Sequence, residues 1–270
     1  MHNKAAIPYR IKVSVTGHRK ELAPHAQVII DGVRQALDVS AAREAATQAP
    51  TIVDLFASPS ARSFRRGRTP LVYTLLTPLA EGADRIVADA IEPLEGAIII
   101  PVLPMPQADY EATFGSPDLV EDFQRRLGRY ASAEHVPGAS ADPDVAFPAV
   151  GRYVVEKCDL LIAIWNGEPG ATGGTAEVVD HARSIGRPTV VIDPKTGSVV
   201  EWFRGTGVHC PGFDRVEMIN AQELTGEELA LAEQDLFGDV RPLLSSAHDA
   251  RVERLKDHLL PLYARCDLIA

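Results

Sequence analysis

The sequence predicts an α/β protein: a three-layer parallel sheet between helices, followed by a helical C-terminal extension. Two observations carry this prediction. The order strand, loop, helix repeats up to residue 193, which favours parallel strands joined by crossover helices. In addition, Leu160–Trp165 is a continuous apolar run, as expected of a strand buried on both faces. We therefore expect one domain over residues 1–193 and a mainly helical extension over 194–270.

Each element follows from its local pattern. Ile11–Val15 alternates, is rich in β-branched residues and breaks at a Thr-Gly-His-Arg turn, which predicts a first strand and its loop. Apolar residues recur at helical spacing from Gln27 to Ala46. The remaining predicted strands are Pro70–Leu76, Ala97–Leu103, Leu160–Trp165 and Pro188–Ile192, and the remaining helices are Gly82–Leu94, Asp118–Ala131, Phe147–Lys157, the segment ending at Ile185, and most of Glu227–Ala270.

Composition excludes several classes of function. The chain of 270 residues has 27 Lys and Arg against 37 Asp and Glu, a net charge of −10, which opposes bulk binding to nucleic acid. Its three cysteines show no paired spacing, so the sequence predicts a cytoplasmic protein without a disulfide framework or zinc ribbon. No spacing indicates a metal site, no motif indicates a resident cofactor, and no apolar run reaches the roughly 18 residues of a membrane span.

Three loops follow predicted parallel strands, and open α/β sheets collect their ligands at those carboxyl ends. Since none of the loops has a dinucleotide fingerprint or a Walker sequence, a standard dehydrogenase or P-loop nucleotidase is disfavoured. We expect all three to meet at one ligand site. The candidate ligand-binding residues are Thr16, Gly17, His18 and Arg19 in the first loop, Glu81, Gly82, Asp84 and Arg85 in the second, and Trp165, Gly173, Gly174 and Thr175 in the third.

Each candidate has a structural alternative. Gly17 permits close backbone approach and Arg19 offers donors to a phosphate, although Arg19 could also pair with Glu21. Glu81 and Asp84 could hold ribose hydroxyls, or simply favour the start of their helix. Trp165 could stack on a base, and a core role is equally compatible with its position at a strand end.

The third loop has the sharpest ambiguity. Gly174 is a natural N-cap, and Glu177 then occupies the third helical position, where a glutamate commonly bonds back to the cap amide. Alternatively, Glu177 could face the anomeric carbon of a bound ribose as the catalytic carboxylate of an N-glycosidase. The free amides and dipole of this helix start favour an anion in either case.

These segments resemble a known family. Val15-Thr16-Gly17-His18-Arg19, the run from Leu79 to Arg85, and Cys158–Gly167 with Gly173-Gly174-Thr175-Ala176-Glu177 are similar to the SLOG division of the DprA/LOG-type Rossmann-like superfamily. The resemblance implies a Rossmann-like fold and a nucleotide-derived ligand, such as a cyclic nucleotide, NAD or an ADP-ribose derivative. By resemblance to the LOG phosphoribohydrolases, Glu177 would be the catalytic glutamate and Arg152 the nearest candidate for their arginine.

The sequence therefore leaves three functions open. The first, which the resemblance favours, is a sensor domain that binds a nucleotide-derived small molecule and forms a homo-oligomer such as a homodimer. The second is a phosphoribohydrolase acting through Glu177 on nucleoside monophosphates or NAD-like substrates. The third is a protein-interaction module. The final residues look like the start of a longer amphipathic helix, and the resemblance implies a membrane-associated region after residue 270.

Overall fold

The computed structural model describes residues 6–37, 69–130, 132–169, 174–206 and 212–221, with a few further positions between 227 and 234. The second half of the predicted helix Gln27–Ala46 and nearly all of the predicted helical segment Glu227–Ala270 lie outside these residues. The chain divides into two compact units, one of residues 10–56 and 72–210 and the other of residues 1–9, 57–71 and 211–270. The predicted boundary at residue 193 stays a prediction.

The described residues form alternating strands and helices, as the sequence predicts. The strands are β1 (Tyr9–Gly17), β2 (Leu71–Thr77), β3 (Ile98–Leu103), β4 (Glu134–His135), β5 (Leu160–Ile164), β6 (Thr189–Ile192) and β7 (Val199–Phe203). The helices are α1 (Ala26–Leu37), α2 (Ala83–Ile91), α3 (Gln107–Glu111), α4 (Pro117–Leu127), α5 (Pro143–Lys157), α6 (Thr175–Ser184) and α7 (Phe213–Ala221).

All seven described strands belong to one sheet with the order β4-β3-β2-β1-β5-β6-β7. The pairs β2–β3, β3–β4, β1–β5 and β5–β6 are parallel, and β7 is antiparallel to its neighbour β6. The predicted α/β class, a mostly parallel sheet flanked by helices in a Rossmann-like three-layer arrangement, is confirmed. The chain adds β2, β3 and β4 in turn on one side of β1, and then β5, β6 and β7 on its other side. The strand order therefore reverses between β1 and β5.

The centre of the sheet is the core of the larger unit. Every residue of β5 is fully buried, as its continuous apolar run predicted. Helix α6 packs over this strand with Val178, Val179 and Ala182. Helix α5 places Val150 and Val154 against Leu76 of β2 and Val102 of β3, in a second apolar cluster.

Several elements differ from the prediction. Strand β7 lies where the pattern weakens after Asp193, because an edge strand carries exposed residues such as Val200 and Glu201. Helix α5 begins at Pro143 rather than at Phe147: the carboxylate of Asp142 accepts a hydrogen bond from the Asp144 amide at 3.0 Å, which caps a helix with proline in its first turn. Helices α3 and α7 and the two-residue strand β4 were not predicted.

The smaller unit is held together by buried polar contacts. The Asn220 side chain accepts a hydrogen bond from the Ile7 amide and donates to the Ile7 carbonyl, both at 2.8 Å. It also donates to the Thr69 hydroxyl at 2.9 Å, and the rings of Tyr9 and Phe213 pack edge to face. In neither unit does a described helix combine the length and apolar character that crossing a bilayer requires.

Candidate functional site

A cavity of about 330 Å³ lies at the carboxyl ends of β1, β2 and β5, where the strand order reverses. Its volume falls within the range of small-molecule sites, about 300–1,000 Å³. All of its lining residues belong to the larger unit. It brings together these residues predicted from the three loops: Thr16, Gly17, His18, Arg19, Glu81, Asp84, Trp165, Gly174 and Thr175.

Other predicted residues lie elsewhere. Gly82 and Arg85 are next to the cavity in sequence but do not line it, and Gly173 lies outside the described residues. Glu177 in α6 and Arg152 in α5 are both exposed and are absent from the lining. Both residues named for the hydrolase are therefore outside the cavity lining.

The first two loops touch through their backbones, which explains their glycines. The Ala83 amide at the start of α2 donates to the His18 carbonyl at 3.1 Å. A side chain at Gly82, whose φ is 84°, would lie 2.5 Å from the carbonyl oxygens of both His18 and Arg19. A side chain at Gly17 would lie 2.4 Å from the Ala83 Cβ atom. Gly82 therefore allows the two loops to approach each other this closely.

Arg85 has a structural role beneath the second loop. Its buried guanidinium donates to the Leu79 carbonyl at 3.1 Å and to the Asp122 carboxylate of α4 at 2.9 Å. Leu79 has a φ of 57°, and its amide donates to the Thr77 hydroxyl at 3.1 Å. Since a non-glycine residue in this region is strained, these contacts hold the loop in a conformation it would not adopt alone.

Asp84 is a buried carboxyl group on the cavity wall, with 8% of the residue exposed. It accepts a hydrogen bond from the Ala80 amide at 3.1 Å. Burial raises the pKa of Asp84 to about 7, although the Ala80 hydrogen bond and the charges of Arg19 and Arg85 act in the opposite direction. The carboxyl group can therefore accept or donate a hydrogen bond at neutral pH.

Arg19 presents a positive charge to the same cavity. Its guanidinium carbon lies 4.4 Å from the centre of the Phe147 ring, a cation–π contact that orients the side chain. Within the described part of the chain Arg19 has no ion-pair partner, so the alternative of a pairing with Glu21 is not observed there.

The described beginning of the third loop forms a compact turn beside the cavity. The Trp165 indole donates to the Glu168 carbonyl at 2.8 Å, and the Glu168 amide donates to the Asn166 side-chain oxygen at 3.1 Å. That oxygen also lies 3.1 Å from His18 Nε2, which links the third loop to the first. Trp165 is partly buried against the apolar cluster under α6, so both of its predicted roles remain compatible with its position.

Helix α6 begins at the cavity. Gly174 is its N-cap, as predicted, with no side-chain cap bond, and Gly174, Thr175 and Ala176 line the cavity. The start of a helix of this length carries partial positive charge from its amides. The cavity wall therefore has two features that favour an anion, this helix start and Arg19.

Several lining residues were not predicted, and they come from helices rather than loops. Tyr110 is supplied by the short helix α3, and Phe147, Val150, Gly151 and Val154 by one face of α5. The sequence feature that could have indicated the α5 residues is the helical periodicity of α5, which places Phe147, Val150, Gly151 and Val154 on one side of the helix. Nothing in the local sequence distinguishes Tyr110 from an ordinary core tyrosine.

A second hollow, of about 580 Å³, adjoins the cavity and shares His18, Arg19 and Glu168 with it. Its wall carries Lys20 and Lys195, together with His25. Across the described ranges, no group of three or more His, Cys, Asp or Glu side chains is arranged to hold a metal ion.

Comparison with known proteins gave no family assignment: no protein-family model matches the chain, and no curated protein is similar to it.

Proposed function

We propose that this cavity binds a nucleotide or nucleotide-derived small molecule, such as an adenosine phosphate or an ADP-ribose-like compound, and that the chain acts as a sensor domain for it. The supporting observation is the meeting of three loops around one cavity where the strand order of the sheet reverses. Ligands of open α/β sheets bind in this position because loops on either side of the reversal diverge and leave a crevice.

The charges of the cavity suggest how such a ligand is oriented. A phosphate group would lie between the start of α6 and Arg19, the two positive features of the wall. The acidic residues Glu81 and Asp84 would face uncharged hydroxyl groups instead, because they would repel a second phosphate. Trp165 and Phe147 supply apolar surface for a base.

The hydrolase alternative has weaker support. A catalytic carboxylate must contact the reacting sugar, and Glu177 is exposed and does not line the cavity. Asp84 is the buried carboxyl group that does. We therefore propose binding without turnover as the function.

A binding screen with a turnover arm tests the proposal. The melting temperature is measured with AMP, cyclic AMP, NAD and ADP-ribose, and the same mixtures are analysed by chromatography. A ligand at 100 times its dissociation constant should stabilise the fold by about 2.7 kcal/mol. We expect a shift with at least one of these compounds and no release of base or nicotinamide.

An arginine pair provides the matched control. Arg19→Gln should weaken binding at least roughly tenfold by removing a charge-assisted hydrogen bond. Arg129→Gln removes a partly exposed arginine that pairs with Glu92 outside the cavity lining, and it should bind like the parent. Equal affinity of the two variants would contradict the phosphate position, and release of free base would support the hydrolase instead.

A further inference from the structure

Tyr110 is the most deeply buried polar group of the cavity wall. The residue is fully buried, and its hydroxyl has no hydrogen-bond partner among the residues that the structure describes. Leaving such a group unsatisfied is unfavourable, because its hydrogen bonds to water are lost on folding and not replaced. A polar atom inside the cavity would satisfy it.

Tyr110 lines the cavity, and most of the charges that act on its hydroxyl belong to other lining residues. Burial raises the pKa of Tyr110, the negative charges of Asp84 and Glu81 raise it further, and the charges of Arg19 and Arg85 oppose this. Asp84, Glu81 and Arg19 are themselves lining residues. The Tyr110 hydroxyl therefore shares one cavity wall with these three charged groups.

The tyrosine ring is held in a fixed position by aromatic neighbours. It packs against Phe114 with 5.0 Å between ring centres, and edge to face against Phe123 and Phe147 at 5.5 and 6.3 Å. The Phe147 ring also makes the cation–π contact with the guanidinium of Arg19. Because the ring is held on several sides, its hydroxyl is presented to a ligand without further loss of conformational freedom.

We propose that the Tyr110 hydroxyl and the Asp84 carboxyl group together bind the vicinal hydroxyls of a ribose, and that Tyr110 makes the site selective for ribonucleotides over deoxyribonucleotides. The inference rests on the proposed function and names a determinant of its specificity. A tyrosine hydroxyl donates and a carboxylate accepts, so the two groups match a sugar diol, whose hydroxyls both accept and donate. A phosphate is a poor match because it would meet Asp84 and Glu81.

The test compares AMP with 2′-deoxy-AMP and 3′-deoxy-AMP by calorimetric titration of the intact chain. The dissociation constant of the parent protein for AMP should be roughly five- to tenfold lower than for at least one deoxy analogue. This ratio is what the loss of about one hydrogen bond produces. Tyr110→Phe removes only the hydroxyl, and it should lose this preference while still binding the deoxy compound with the parent's affinity.

A second tyrosine gives a matched control. The hydroxyl of Tyr130 is also buried and without a partner in the described residues, but Tyr130 does not line the cavity. Tyr130→Phe should keep the full preference for AMP. Neither variant should lower the melting temperature without ligand, since each removes an unsatisfied polar group.

The outcomes separate the two proposals. If the parent binds none of the three nucleotides, this inference is wrong, and the proposed function is wrong as well if cyclic AMP, NAD and ADP-ribose also fail to bind. If the parent binds them without distinguishing ribose from deoxyribose, or if Tyr110→Phe keeps the distinction, only the inference about Tyr110 is overturned.

Discussion

The residues that define this site are polar groups in apolar surroundings. Asp84 and Tyr110 are both buried in the cavity wall, where the surrounding helices supply aromatic and aliphatic side chains. Burying a carboxyl group favours its neutral form and costs stability once the group ionises. A fold that keeps such groups in a cavity wall gives up stability, a loss that is usual at binding sites.

Asp84 should make the fold less stable as the pH rises. Its pKa is about 7 in the folded state, compared with 3.8 for an unburied aspartate, so the folded protein holds a proton that the unfolded chain releases. The free energy of unfolding should therefore fall by about 4 kcal/mol between pH 4 and pH 8 on account of this group. Urea unfolding of the parent and of Asp84→Asn across that range measures the difference.

Asp84→Asn should be the more stable protein at pH 8, and its advantage should vanish near pH 4. Asp118→Asn changes an exposed residue in the first turn of α4 and should leave the pH dependence of the parent unchanged. If Asp84→Asn and the parent show the same pH dependence, Asp84 does not carry a raised pKa.

At the level of elements, the site depends on contacts between loops and on the helices beneath them. The first and second loops approach so closely at Gly82 that no side chain is accommodated. Under the second loop, Asp122 of α4 pairs with Arg85 of α2, and Arg126 of α4 pairs with both Asp122 and Asp89. These contacts set the position of the α2 start, which carries Asp84.

Gly82→Ala should lower the free energy of unfolding far more than the same substitution at another glycine of similar backbone conformation. Gly138 also has positive φ, 69°, but an added Cβ there has no atom within 4 Å. We expect Gly138→Ala to lower the free energy of unfolding by about 1 kcal/mol and Gly82→Ala by about 3 kcal/mol, because only the latter adds a steric clash to backbone strain. Equal losses in urea unfolding would mean that the loops do not approach this closely.

Asp122→Asn should destabilise the fold by about 2 kcal/mol by leaving the buried Arg85 without its charged partner. Partial burial acts to raise the pKa of Asp122, but the Arg126 hydrogen bond and the charges of Arg126, Arg85 and Arg125 lower it overall. The stabilisation is therefore present above the unfolded pKa and should disappear as the pH falls through the folded pKa. Thermal unfolding at neutral and acidic pH measures this, and an undiminished effect of Asp122→Asn at low pH would contradict it.

The site could be predicted in part from the sequence for reasons that belong to its elements. The loops after β1, β2 and β5 were predicted because apolar strands end abruptly at glycine-containing turns. Tyr110 and the α5 residues were missed because they reach the cavity through tertiary packing: periodicity groups the α5 residues on one side of their helix but does not say what that side faces. The position of Glu177 in the first turn of α6 was predicted, but its exposure was not, since a helix start alone does not fix which way its side chains face.

At the level of the whole molecule, the strand order is what brings these loops together. Residues 16, 84 and 175 are far apart in the chain. They meet because β1 lies between β2 and β5, so that the loops after these three strands are neighbours. The repeat of strand and helix predicted a parallel sheet but not the order of its strands, because several orders share the same alternation. The edge strand β7 was missed since one face of it is exposed and its apolar pattern is weak.

The binding position of the ligand can be measured through the two tryptophans of the chain. Trp165 lines the cavity, whereas Trp202 lies in β7 and is absent from the lining. In a nitrogen-15 correlation spectrum recorded during titration with AMP or ADP-ribose, the indole signal of Trp165 should move with ligand concentration and that of Trp202 should stay in place. A titration that leaves the Trp165 signal unmoved, or that moves both signals alike, would contradict binding at this cavity.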